Sequence, residues 1–325
     1  MASDRQGLPA VLVEAFGNGP CTGNGAAVVL LEEPAPAGWM QAVARSLAQS
    51  ETAFLLPAAE GWLLRWFTPA CEVPLCGHAT LAALLALGHW RRLEGGTMIR
   101  LKTRSGALDV SLDPQRPGWG SLLLPGGGLQ PAKAPERLLA WLSRQGLGSP
   151  GGFWSSDLGY FVVLLDPAAP LAALPRPASD LPAEVHSGLV LMQALAPPSA
   201  GSGPSGPRLG DWPADYQLRF FAPGLGIEED PVTGSAHALV APWWQQRLGR
   251  SRVVGWQCSD RPGGMVCEAA SSGMIRLFGS GHLLWDGRLL AASPPSRARE
   301  SNGDAMPPGD CSALWSEWRT ATRCV

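Results

Sequence analysis

Four short segments of this chain carry side chains that could move a proton. Ser50-Glu51-Thr52-Ala53-Phe54 sets a carboxylate between a helical pattern and an apolar strand. A carboxylate there loses solvent, which favours its neutral form and suits proton transfer near neutral pH. The plainer alternative is a surface glutamate at a strand start. Pro74-Leu75-Cys76-Gly77-His78-Ala79-Thr80 puts a thiol and an imidazole where an apolar helix begins. The free N–H groups of that first turn favour an anion. His78 could shuttle a proton or simply cap the helix, and Cys76 could be a thiol base or a small buried residue. Glu228 to His237 repeats the theme of acid, glycine turn and apolar helix. Asp230 there either caps the helix or holds a substrate amine. Gly23-Asn24-Gly25 reads as a turn into a strand, with no chemistry assigned from spacing. The pairing of the second and third segments matters more than either alone. Two helix N-termini facing one cleft would bind a small carboxylate from both sides.

These segments need a frame. Residues 11–16 and 26–31 read as strands of a hairpin around the glycine-rich turn 17–25. Residues 36–49 read as a helix with Met40, Val43, Ala44 and Leu47 inward and Gln41 and Arg45 outward. Strands are expected at 52–56 and 63–67. The stretch 77–88 is Ala- and Leu-rich around its whole circumference, so it is expected to be buried on most sides. Strands at 97–103, 107–112 and 120–124, a helix at 133–146 and a strand at 160–165 follow. The second half repeats the rhythm with strands at 189–194 and 217–221, a loop at 223–230, and a second Ala-rich helix from Thr233. Pro242 should kink that helix or end its regular hydrogen bonding. Strands at 265–269, 274–278 and 283–285 complete the folded part. Helices with so little polar surface need sheet wrapped around them. The expected fold class is therefore α+β: two similar halves, each a curved sheet around a central helix, with a cleft between. Residues 197–207 read as a flexible Gly/Ser/Pro loop and 293–312 as a disordered tail, after which Trp315 and Trp318 could dock as a short helix.

The bulk numbers narrow the function. A chain of 325 residues allows two domains or an internal duplication. With 46% apolar and 16% charged residues it can bury a sizeable core. The net charge of −2 and the absence of a dense Lys/Arg stripe argue against a nucleic-acid partner; Arg91-Arg92 reads as a solvated helix end. No apolar run reaches the roughly 18–20 residues a membrane helix needs, and the mixed-charge N-terminus lacks the layout of a signal peptide. Seven cysteines without a C-x-x-C pair argue against a disulfide framework or zinc knuckle. A cytoplasmic protein with reduced thiols is expected. There is no phosphate loop, no G-x-G-x-x-G after a strand and no nucleophile elbow, and the His and Cys positions lack metal-site spacing. Simple proton transfer is the economical chemistry that remains.

Several segments then gain meaning from their order: Gly23-Asn24, Ala44-Arg45, Ser50 to Phe54, Leu64-Arg65-Trp66-Phe67-Thr68-Pro69, Pro74 to Thr80, Arg219-Phe220-Phe221-Ala222-Pro223, and Glu229 to His237. Together they closely resemble the PhzF-like (phenazine biosynthesis-like) isomerase family, especially its animal members. The likeness extends to Gln257-Cys258-Ser259 and Arg261 and covers roughly residues 10–292. It implies the fold of diaminopimelate epimerase, two pseudo-symmetric halves that often form a homodimer. It also implies an interdomain active site with no cofactor and no metal, acting on a small carboxylate substrate. In the bacterial phenazine enzyme that chemistry is isomerisation of a dihydro-hydroxyanthranilate by proton transfer. Glu51 matches the family's catalytic acid/base position, His78 and Asp230 its supporting positions, and Ser50, Gly77, Gly234 and Ser235 its substrate-contacting ones. The halves are expected at 1–118, completed by a strand near 280–292, and at 119–279. Residues 293–325 form an appended tail open to protein partners. The chain departs from the family pattern at Gly25, where proline is usual, at Ala48-Gln49, where Asn-Leu is usual, and at Pro262, which interrupts an Arg-Gly-Gly run. Two rivals remain. A two-base racemase would use Cys76 against a second thiol, but Val232 holds the expected matching position. A fold member without strong catalysis would act through protein contacts, with the tail as its interaction segment.

Overall fold

The structure, a computed structural model, describes residues 7–176, 180–196 and 206–290. The expected tail at 293–325, with Trp315 and Trp318, lies outside the described residues, as does most of the expected loop at 197–207. From the N-terminus come β1 (Leu8–Ala15), β2 (Asn24–Leu30), α1 (Ala37–Leu47), β3 (Glu51–Pro57), β4 (Trp62–Phe67) and β5 (Glu72–Val73). Then follow α2 (Gly77–His89), β6 (Met98–Thr103), β7 (Gly106–Leu112), β8 (Trp119–Pro125), β9 (Leu129–Pro131), α3 (Glu136–Arg144), β10 (Gly152–Ser156) and β11 (Phe161–Leu164). The chain continues through β12 (Leu189–Ala194), β13 (Arg208–Leu209), β14 (Trp212–Pro213), β15 (Tyr216–Ala222) and β16 (Ile227–Asp230). It ends with α4 (Gly234–Leu248), β17 (Arg252–Gln257), β18 (Gly263–Ala269) and β19 (Met274–Leu289).

Two compact units result. Among the described residues the first holds 7–15, 25–122 and 281–290, and the second holds 16–24 and the stretch from 123 to 280. In the first unit β2 runs parallel to β3, β3 antiparallel to β4, β4 parallel to β6, and β6, β7 and β8 are successively antiparallel. The second unit repeats that pattern. β11 is parallel to β12, β12 antiparallel to β15, β15 parallel to β17, and β17, β18 and β19 are successively antiparallel. In each unit the second parallel crossover is the apolar helix, α2 between β4 and β6 and α4 between β15 and β17. A parallel pair needs such a long crossover, because its strands begin at the same end.

The composition of α2 explains its place. Every residue from Gly77 to Leu87 is buried, and the helix packs against β1, β3 and β7. Leu81, Leu84 and Leu87 are wholly shielded, each stabilising by roughly 2 kcal/mol relative to exposure. Close approach requires glycine on the sheet: a Cβ on Gly120 would lie 2.7 Å from a methyl of Leu84. In the second unit α4 packs against β9, β17 and β18, and a Cβ on Gly255 would collide with the ring of His237.

Several expectations need correction. Gln41 faces inward rather than outward, and its amide donates to the Thr68 carbonyl at 2.8 Å. α4 runs on past Pro242 to Leu248, leaving open only the kink or the local loss of a hydrogen bond expected there; Ala241 and Trp244 on either side of it are held in the core. The strands expected at 274–278 and 283–285 are one continuous β19, and the loop expected at 223–230 closes in β16. Cys21, Cys76, Cys258 and Cys267 are free. No helix among the described residues is long and apolar enough to cross a membrane.

Candidate active site

Glu51 opens β3, in parallel register with Ala26 of β2. His78 is the second residue of α2. Because β3 and the start of α2 pack together in the first unit, Glu51 Oε2 lies 2.9 Å from His78 Nε2, with both side chains buried. Oε2 is thus ion-paired with the imidazole and has no other hydrogen-bond donor among the described residues. Ser50 Oγ donates to the Gly25 carbonyl at 2.8 Å and sits 3.1 Å from His78 Nε2. Cys76 is the N-cap of α2, in extended conformation with no side-chain cap. Its Sγ is 3.5 Å from His78 Nδ1 and 3.9 Å from Nε2. Gly77 is the first residue of α2. Of the residues picked out in the sequence, the fold thus brings Ser50, Glu51, Cys76 and His78 together around one imidazole.

Burial alone would push His78 down, but its contacts with Cys76 and with the Glu51 carboxylate outweigh it and raise it well above the usual histidine range. Burial, helped by the Glu51 charge, pushes the Cys76 thiol up to about 11 despite the neighbouring imidazole. At neutral pH Cys76 is therefore a thiol, a poor base. The donor atoms of Glu51, Cys76 and His78 all lie within 4.8 Å of one another, a grouping that linear spacing did not reveal.

Asp230, Gly234 and Ser235 lie in the second unit. Asp230 ends β16 with both carboxylate oxygens engaged: Oδ1 accepts from Asn24 Nδ2 at 2.6 Å and Oδ2 from Thr233 Oγ1 at 2.6 Å. Asn24 Nδ2 also donates to the Val232 carbonyl at 3.1 Å. Gln257 closes the knot, donating to the Asp230 carbonyl at 2.5 Å and accepting from the Thr233 N–H at 2.8 Å. This knot shapes the turn that launches α4, whose first residue is Gly234. Ser235 Oγ is 3.4 Å from the Tyr160 hydroxyl. Asn24, Thr233 and Gln257 carried no chemical signal in their spacing; Asn24 and Asp230 are 206 positions apart.

Cys76 is the N-cap of α2 and Thr233 the N-cap of α4. Neither Val232 nor Thr233 at the start of α4 carries a thiol. A hydroxyl cannot serve as the second thiol of a two-base racemase.

Comparison with known proteins follows the same lines. The model of the family described as phenazine biosynthesis-like protein matches residues 13–123 and 200–277. An uncharacterized isomerase of Pseudomonas aeruginosa is 34% identical over 278 residues, covering 85% of this chain and 96% of that one. The human phenazine biosynthesis-like domain-containing protein is 32% identical over 302 residues, covering 87% and 99%. The crystal structure of a PhzF-family phenazine biosynthesis protein from Enterococcus faecalis aligns with a TM-score of 0.74 at 27% identity, covering 87% and 99%. Solved structures of a predicted epimerase and a probable proline racemase share the α+β fold.

Proposed function

This chain belongs to the phenazine biosynthesis-like protein family, and from that premise we propose that it is an isomerase that moves a proton on a small carboxylate-bearing metabolite without a cofactor. Glu51 is the acid/base group of this reading. Its carboxylate takes a proton from a substrate carbon, becomes the carboxylic acid, and returns that proton or one exchanged with water at another carbon. One group can fill both roles within a turnover, because isomerisation leaves no net change in protons.

The observation that carries the reading is the state of Glu51 Oε2, buried at the start of β3 and paired at 2.9 Å with an imidazole, with no other hydrogen-bond donor among the described residues. A buried carboxylate oxygen with so few donors has an acceptor to spare for a proton. His78 would balance the charge of Glu51 and hold a proton beside it. Ser50 would orient His78 and contact substrate. The first-turn N–H groups of α2, beginning at Gly77, would hold the substrate carboxylate and spread the negative charge that develops during transfer. Asp230, Gly234 and Ser235 are assigned to substrate holding; for Asp230 this works through the turn it fixes with Asn24 and Thr233.

The test is solvent-proton exchange. Candidate small unsaturated acids are incubated with the protein in deuterated water and followed by NMR. Deuterium entering carbon positions, with migration of the double bond, supports the reading. A panel in which ligands bind but no carbon exchanges favours the reading as a binding protein.

A further inference from the structure

We propose that Glu51, Cys76 and His78 form a site for a thiophilic divalent cation of the zinc class, and that its occupation blocks proton transfer. One carboxylate oxygen, one imidazole nitrogen and one thiol sulfur are the donor types that zinc takes, and three protein ligands with a fourth place open to water is the layout of its exchangeable sites. Around a tetrahedral ion with bonds of about 2.0–2.3 Å, ligand atoms stand about 3.3–3.8 Å apart. Here Nε2 of His78 is 2.9 Å from Glu51 Oε2 and 3.9 Å from Cys76 Sγ, and all three donors fall within 4.8 Å. Side-chain rotations moving the donors by about 1 Å would close the set.

A second observation points to a ligand. Glu51 is only 7% exposed, and its Oε2 faces the His78 imidazole at 2.9 Å with no other donor among the described residues. A buried carboxylate is costly unless its charge is compensated, and a cation held between Glu51 and His78 would compensate it in place of the His78 proton. Binding releases the Cys76 thiol proton and any proton on His78 to solvent, and forms one bond each from Sγ, Nε2 and Oε2 to the metal. Magnesium, a hard ion that demands oxygen ligands, does not fit this set. The blocking half of the proposal rests on Glu51 being the acid/base group; the binding half does not.

The probe is Co²⁺, added to the reduced full-length protein as a spectroscopic stand-in for Zn²⁺. We expect a thiolate-to-cobalt charge-transfer band that saturates at one equivalent, is displaced by Zn²⁺ and is untouched by Mg²⁺. Cys76→Ser should abolish that band, and Glu51→Gln should weaken cobalt binding tenfold or more. Should Cys76→Ser fail to fold, His78→Gln read in the same way replaces it. Absence of the band from the unaltered protein, or its persistence in Cys76→Ser, overturns the site. If the Cys76-dependent band is present but Zn²⁺ leaves solvent-proton exchange untouched, the site stands and the blocking role falls, together with the assignment of Glu51.

Discussion

Glu51 Oε2 and His78 Nε2 lie 2.9 Å apart, both buried, one at the first residue of a strand and the other in the first turn of a helix. The pair stabilises the fold in a pH-dependent way, and the sign follows from the direction of the His78 shift. His78 is raised above its ordinary value of 6.5, so the folded protein holds the proton more tightly than the unfolded chain. The stabilisation is fully present below pH 6.5 and is lost as pH rises through the folded value. Urea unfolding of the unaltered protein and Glu51→Gln should therefore differ most below pH 6.5 and converge at alkaline pH. A gap that widens with pH would contradict the pairing.

His237 behaves in the opposite sense. It is wholly buried, its Nδ1 lies 2.9 Å from the Tyr216 hydroxyl, and burial lowers it to about 3. The unfolded chain takes up a proton near 6.5 that the folded protein refuses, so stability present above that value is lost as pH falls toward about 3. One such proton costs up to about 1.4 kcal/mol per pH unit. Replacing His237 with Gln should flatten the acid side of the stability profile even where the variant is less stable at neutral pH. An acid limb of unchanged steepness would assign the effect elsewhere.

Each unit holds its own Arg–Glu ion pair. Arg65 Nε and Nη2 grip Glu72 at 2.7 and 2.8 Å, and Arg219 Nε and Nη2 grip Glu229 at 2.7 Å each. Each guanidinium lies 5.2 Å from a phenylalanine ring centroid, Phe67 or Phe221. Their environments differ. The Arg219 side chain is 2% exposed and that of Arg65 22%, and each glutamate has a second arginine, Arg104 at 2.8 Å for Glu72 and Arg176 at 3.8 Å for Glu229. Removing one partner of a deeply buried pair costs about 3–5 kcal/mol, because the other charge is left in low dielectric. Glu229→Gln should thus destabilise well beyond Glu72→Gln in thermal or urea unfolding. Equal effects would mean that water reaches Arg219.

The fold class was legible because two helices, α2 and α4, are apolar around their circumference, a pattern that only a wrapped sheet can accommodate. Individual strands were less legible. β10, Gly-Phe-Trp-Ser-Ser, does not alternate cleanly, and β17 carries Gly255 in its middle because His237 leaves no room for a side chain. Gln41 misled for a related reason: helical periodicity places a polar residue outward and cannot foresee a carbonyl awaiting its amide in the core. At the candidate site, Ser50, Glu51, Cys76 and His78 were each visible. Their meeting was not, since 25 residues separate the strand start from the helix start. The knot of Asn24, Asp230, Thr233 and Gln257 joins chain segments too distant for any spacing rule.

That knot predicts how Asp230 acts. Both of its oxygens are taken within the second unit, so Asp230→Asn should lower stability by about 1–3 kcal/mol through a buried partner left unsatisfied. Asn24→Ala should reproduce both the stability loss and whatever loss of turnover the Asp230 variant shows. A normal Asn24→Ala beside an inactive Asp230→Asn would instead give the Asp230 carboxylate a direct role on substrate.

The central claim is that Glu51, and not Cys76, carries the proton. The direct measurement is the rate of solvent-proton exchange into an identified substrate by Glu51→Gln beside Cys76→Ala, with both variants first shown to be folded by circular dichroism. Glutamine keeps the shape of the side chain and removes the base, and general acid–base catalysis is typically worth about a hundred- to ten-thousand-fold. Cys76 is held as a thiol, pushed up to about 11, and the start of α4 carries no thiol at Val232 or Thr233. The account predicts a drop within that range for Glu51→Gln and a much smaller one for Cys76→Ala. Full exchange by the Glu51 variant, with loss in the Cys76 variant, would contradict it and restore a thiol mechanism.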